Sequence, residues 1–377
     1  MRETRDNRLV ETPRRHEQDL VESIEETPPN QSGRIYNEST IQSSASETAT
    51  SWWSASDRED STFPTGLEFR NVYLDESEGG DSIADKVKSL PSAGATWETK
   101  EERLYHERQW DMDRELCEND FHIEYFQHSI MMSLPARHCL HFVGPDRVRH
   151  LLCSVKSVWT CPQMPTRDKP LSPPEPDLAV CFHRQVIIPD NLWRDMPQAT
   201  RRLACYENGD EIAKEKVFHF LTIQTVRSHI SPDNDVGKLQ SLNNASQSLH
   251  NMFEFFRDAG PKHEKEYFDK VRFFSVVAST EGLTIRIHRA TKSDRNLIIP
   301  DYPLSFKYVE LFRVYKREFT RKAVFDIFKK IQVDYGVKML GPLLHRAAKD
   351  IMKRLTAGEL RARRKKGFYR YGQKIVT

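Results

Sequence analysis

Apolar positions fall on a helical period most plainly at 238–258, KLQSLNNASQSLHNMFEFFRD. Leu239, Leu242, Ala245, Leu249, Met252, Phe253 and Phe256 recur three or four positions apart, which gathers them on one face of an α-helix. Gly260-Pro261 closes the pattern, as at a helix end. Two segments before it read as strands. One is the run DLAVCFHRQVII, which opens at Asp177 after a Pro-rich connection at 164–177. The other is 217–227, inside FHFLTIQTVRS (218–228), a short apolar run of the buried-strand kind. Beyond the helix, VRFFSVVASTEGLTIRIHRA (271–290) predicts a β-hairpin with Glu281-Gly282 at its tip. Leu283, Ile285 and Ile287 alternate with Thr284, Arg286 and His288, so the second strand is expected to have one solvated face.

Helical patterns flank these strands. The stretch 100–134 places Leu104, Trp110, Leu116 and Phe121 toward a core. A segment at 319–331 carries Val324, Ile327, Phe328 and Ile331, and a last helix opens at Pro342 with Leu343, Leu344, Ala347, Ala348, Ile351 and Leu355 as its stripe. Residues 188–216 read as an insertion, with a short helix. The order predicts an α/β domain over 100–355, a mixed central sheet flanked by helices. Residues 1–98 keep no period of 2 or 3.6 and are rich in Ser, Thr and acids, which predicts a long disordered N-terminal region. Trp52 and Trp53 stand out there as an anchor for a protein partner or as a chance pair.

Charge sharpens this division. Hydrophobic residues make up 38% and charged residues 30% of the 377, and the net charge is +2. Residues 1–100 hold 20 Asp/Glu against 11 Lys/Arg, so an acidic region precedes a basic body, a distribution suited to a polyanionic partner. The C-terminal tail, 356–377, continues a run in which residues 353–374 carry nine Lys/Arg and one acid. Its RARRKK core (Arg361, Arg363, Arg364, Lys365, Lys366) can neutralise phosphates or act as a nuclear import signal. Phe368, Tyr369 and Tyr371 could stack on bases. No apolar run approaches the roughly 18 residues of a membrane span, and the N-terminus lacks the apolar segment of a signal peptide. A nuclear or cytoplasmic location is expected, not secretion. The six cysteines show no CxxC spacing and read as reduced, mostly buried thiols with no zinc site.

The segments ERQW (107–110), PDLAVCF (176–182), FHFLTIQTVRS, LNNASQSLHNMFEFF, FFSVVASTEGLTIRIH and KREFTRKAVFDIFKKI together resemble the PD-(D/E)XK nuclease-like superfamily, in particular a fungus-restricted set of such domains. The resemblance runs from about residue 103 to 355 and implies a restriction-endonuclease-like sheet. It also implies roles. Asp177 matches the metal-binding aspartate, Gln224 stands where the second acid belongs, Val226 stands where the lysine belongs, and Glu107 matches a helix acid that helps bind metal in some relatives.

The departures bear on chemistry. Phosphodiester cleavage needs a divalent metal held by carboxylates and a group that offsets charge on phosphate. Gln224 is neutral, so Asp177 alone offers Mg²⁺ a formal charge, and affinity should fall. Val226 can move no proton. In a regular strand 224, 226 and 228 share a face, so Arg227 points away with Thr225; Lys216 and Lys238 could reach in from outside the strand. Asn243, Asn244 and Gln247 could hydrogen-bond phosphate, but the solvated face of their helix is the favoured reading. His219 and His229 read as satisfied or solvated. The expectation is a catalytically silent domain acting as a nucleic-acid or protein binding module, without a cofactor. Two alternatives stay open: an active Mg²⁺-dependent nuclease with a relocated lysine, and a protein-interaction scaffold.

Overall fold

The computed structural model describes residues 62–77, 80–91, 99–120, 123–143, 146–166, 171–207, 211–226, 235–293 and 302–360. In chain order the helices and strands are α1 (Phe63–Glu68), α2 (Ser82–Ser89), α3 (Lys100–Asp120), α4 (Ile123–Met132), β1 (Leu140–Val143), β2 (Asp146–Arg149), β3 (Leu151–Val155), β4 (Leu178–His183), α5 (Arg184–Ile187), α6 (Asp190–Asp195), α7 (Gln198–Ala204), α8 (Glu211–Lys214) and β5 (Lys216–Thr225). They continue with α9 (Asp235–Ala259), α10 (Pro261–Lys270), β6 (Phe273–Ser279), β7 (Gly282–Lys292), β8 (Leu304–Tyr315), α11 (Arg321–Lys329), a π-helical segment Lys330–Leu340 and α12 (Gly341–Thr356). Strands β3 to β8 form one six-stranded sheet in chain order, and β1 and β2 form a separate hairpin. All neighbours in the large sheet are antiparallel except β5 and β6, which run parallel. A parallel pair needs a crossover, and α9 supplies it.

Helices cover both faces. On one, α9 packs on β5: Phe218 meets Phe255 edge-on, and Ser248 Oγ donates to the His219 carbonyl at 2.6 Å. On the other, Tyr335 of the π-helical segment meets Phe274, and Gly336 lies against Phe220. A bulge in β5 divides the strand's contacts between these layers. Phe218 has φ 51°, and the β4 register shifts between Val180 and Phe182. Phe220 then stacks on Phe182, while His219 stacks on Tyr206. A Cβ added at Gly336 would sit 2.6 Å from Phe220 Cζ, and that ring is fully buried against Phe182. Gly336→Ala is therefore expected to destabilise by about 1–3 kcal/mol through overpacking, more than the helix-propensity gain of at most about 1 kcal/mol. A urea melt checks this; a variant as stable as the wild type would refute it.

Several sequence expectations need correction. Residues 62–77 and 80–91, read as part of the disordered region, are built into the domain. Leu67 and Val87 are buried, and Val72 bridges to Phe306 of β8. The anchors are too sparse, in a Ser- and acid-rich stretch, to make a period. In α3 only Trp110 of the expected stripe is buried, against Phe126 and Phe319; Leu104 and Leu116 are 45% and 39% exposed, and Phe121 lies outside the described residues. Thr284, Arg286 and His288 are buried rather than solvated, because β7 is an interior strand with layers on both faces. His288 Nε2 meets Ser275 Oγ at 2.7 Å, and burial pushes its pKa down to about 3. Asn243, Asn244 and Gln247 are also buried. Helix α9 lies between the sheet and the described parts of the 161–175 connection, and Asn243 and Gln247 hold them. Gln247 Oε1 accepts from the Met164 N–H, Gln247 Nε2 donates to the Pro162 carbonyl, and Asn243 Nδ2 donates to the Ser172 carbonyl. Of the cysteines, Cys139, Cys153, Cys161, Cys181 and Cys205 form no disulfide.

Candidate functional site

Antiparallel pairing of β4 with β5 sets Leu178 opposite Ile223, which brings Asp177, at the mouth of β4, to the same sheet end as Gln224. The two side chains serve different faces. Asp177 Oδ2 accepts from the Thr225 N–H at 2.8 Å and from Thr225 Oγ1 at 2.9 Å. Thr225 Oγ1 in turn accepts from Gln127 Nε2 of α4 at 2.6 Å. One hydroxyl thus donates once and accepts once, within its capacity. Gln224 faces α9 instead and is 4% exposed, beside Asn243, Asn244 and Gln240. Val226 is on the same side, next to Gly237 at the start of α9.

This donor set does not suit Mg²⁺. The ion favours carboxylate and water oxygens in near-octahedral order. Here one oxygen of Asp177 already holds two hydrogen bonds, and the side chain in the second acid's place is a neutral amide on the α9 side. Among the described residues no group of three or more His, Cys, Asp or Glu could hold a metal ion. Glu107 is half-buried on α3. The acid of α3 that meets α4 is Asp113, which is buried and accepts from Gln109 Nε2 at 2.6 Å and from Ser129 Oγ. Its signal in the sequence is its place one turn beyond Trp110, on the same helix face.

Neither proposed replacement lysine is seen to bring its ammonium to Asp177: Lys216 is at the far end of β5, and Lys238, which follows Gly237 at the start of α9, is turned to β8. Lys216 opens β5, opposite His183, and nine strand steps put it about 30 Å from Thr225. Lys238 lies over the Tyr308 ring, 5.8 Å from its centroid. Arg227, Ser228 and His229 lie outside the described residues, as do Trp52, Trp53 and the basic run Arg361, Arg363, Arg364, Lys365 and Lys366.

Lys216 belongs to a second charged cluster that the sequence did not reveal. Its Nζ donates to Glu207 Oε2 at 2.9 Å and to Ser154 Oγ at 3.3 Å, while Glu207 Oε1 lies 2.8 Å from His219 Nε2. Burial alone would raise the Glu207 carboxyl. The His219 hydrogen bond, Ser154 and Lys216 outweigh it and hold Glu207 well below the usual carboxylate range. Burial lowers His219, so at neutral pH the uncharged ring donates to Glu207 and Lys216 supplies the counter-charge. Trp159 and Tyr206 pack against the His219 ring. The cluster ties the loop at 205–207 to the sheet. Neither a protein-family model nor a curated protein sequence matches this chain.

Proposed function

We propose that this domain is a restriction-endonuclease-like scaffold of the PD-(D/E)XK type that has lost metal-dependent cleavage and serves as a binding module for nucleic acid. A fold of that type has to bring an acid on one strand beside the end of its antiparallel neighbour. The meander β3–β4–β5, the α9 crossover and the parallel strand β6 support that reading. The observation that carries the loss of cleavage is the engagement of Asp177 by Thr225, with Gln224 and Val226 turned to the α9 side. The basic charge beyond residue 100, concentrated in 361–377, favours a polyanion as the partner.

The test is a Mg²⁺ and Mn²⁺ cleavage assay on single- and double-stranded substrates, with Asp177→Ala alongside. Neither protein should cleave. Metal-dependent cleavage lost in Asp177→Ala would overturn the reading. In the same preparations, nucleic-acid affinity should fall steeply with salt and drop at least about tenfold when 361–377 is removed. Equal affinity without the tail would remove nucleic acid as the tail's partner.

A further inference from the structure

On the α9 side of β5, Gln224 and Asn244 line a small cavity bounded also by Phe63, Ser172, Glu175 and Asn243. It opens ≈ 10 Å³ to the centre of a water-sized sphere, room for about one small ion or water. Gln224 is 4% and Asn244 2% exposed, and their amide nitrogens Nε2 and Nδ2 have no hydrogen-bond partner among the described residues. In the wall, Asn243 Oδ1 accepts from Arg70 Nη1 at 2.9 Å.

Arg70 is fully buried, and its Nε and Nη2 also have no partner among the described residues. Burial pushes its pKa down to about 10; among the described residues Tyr302 and Cys161 act on its charge, and both are weak acids. Glu175, the acid in the cavity lining, is half-buried and engaged in other interactions. A buried cation without a counter-charge is disfavoured by several kcal/mol, and each buried donor without an acceptor by about 1–3 kcal/mol. These deficits share one sign. A water could accept from the two amides but would leave Arg70 unneutralised.

We propose that this cavity is a binding site for a small monovalent anion of chloride size, held by Gln224 Nε2 and Asn244 Nδ2 and favoured by the positive charge of Arg70 behind Asn243. The site stands whether or not the domain cleaves phosphodiesters. The full-length protein should melt about 2–4 °C higher in sodium chloride or bromide than in sodium gluconate at equal ionic strength. Bromide-soaked crystals should give an anomalous peak within hydrogen-bond reach of both amides. Gln224→Glu supplies a built-in carboxylate, so that variant should fold and lose the halide-specific rise. Equal melting of the wild type in all three salts, or the absence of a bromide peak in the cavity, would overturn the proposal.

Discussion

Glu207→Ala should lower the unfolding free energy by about 3–5 kcal/mol, because it strands Lys216 and removes the acceptor of His219 in a buried setting. Glu207→Gln keeps an acceptor and should lose less. A double variant, Glu207→Leu with Lys216→Met, should recover much of the loss, since replacing both partners by apolar groups leaves no buried charge. Urea melts measure all three; a single-alanine loss under about 1 kcal/mol would refute the account.

His219 and Glu207 of this cluster, together with the buried His288 of β7, also predict how stability depends on pH. His219 and His288 are both lowered in the folded state from an ordinary 6.5. The unfolded chain therefore binds more protons below that value. Their contribution is complete above pH 6.5 and is lost as pH falls toward the folded values. Glu207 is depressed from 4.5; its contribution is complete above pH 4.5 and is lost on further acidification. The wild type should thus be equally stable at pH 7 and 8, weaken below pH 6.5 and weaken faster below 4.5. In Glu207→Gln the lower stage should shrink and the upper one persist. A lower stage of equal size would contradict the assignment to Glu207.

The second large effect is expected at Asp81. Its Oδ1 accepts from the Ile83 and Ala84 N–H groups at 2.9 and 3.1 Å, which caps α2. Its Oδ2 accepts from Arg272 Nε at 2.8 Å and from Arg289 Nη1 at 3.4 Å. Asp81 and Arg272 are both buried. Asp81→Ala removes a cap worth about 1 kcal/mol and leaves Arg272 without its carboxylate, a loss of about 3–5 kcal/mol. Asp81→Asn retains a capping oxygen and should be intermediate. Proteolysis should then cut first within 80–91, because α2 has lost its tie to the sheet. Unchanged cleavage sites in Asp81→Ala, together with an unchanged urea midpoint, would rule this out.

The parts of the fold that were legible in the sequence are those whose burial repeats without interruption. Helix 238–258 and strand 217–227 appear in the structure as Asp235–Ala259 and Lys216–Thr225. The sequence reading leaves 304–315 unassigned because its alternation changes phase. Ile285 pairs with Phe312 but Arg286 with Glu310, so Leu311 is the extra residue of a bulge. The polar residues of α9 misled for a related reason: the helix lies between two layers, and its Asn243 and Gln247 side chains bind neighbouring backbone. At the sheet end, strand order was enough to bring Asp177 beside Gln224. It did not fix which donors the Asp177 carboxylate would meet, and these are the Thr225 N–H and hydroxyl. The link from Glu207 to Lys216 and His219 spans a loop and follows no period.

The segment at 71–77 runs along β8. The Phe306 N–H donates to the Asn71 carbonyl, the Tyr73 N–H to the Phe306 carbonyl and the Ser77 N–H to the Tyr308 carbonyl, and Lys307 covers the Tyr73 ring at 4.9 Å. It sheathes the outer margin of a 12-residue strand. A chain cut at residue 98, where the sequence suggests a domain boundary, would expose that margin as a template for edge-to-edge association between molecules. The folded domain therefore includes Phe63 and the segment that follows it, and a chain lacking residues 62–98 is expected to self-associate through the uncovered strand.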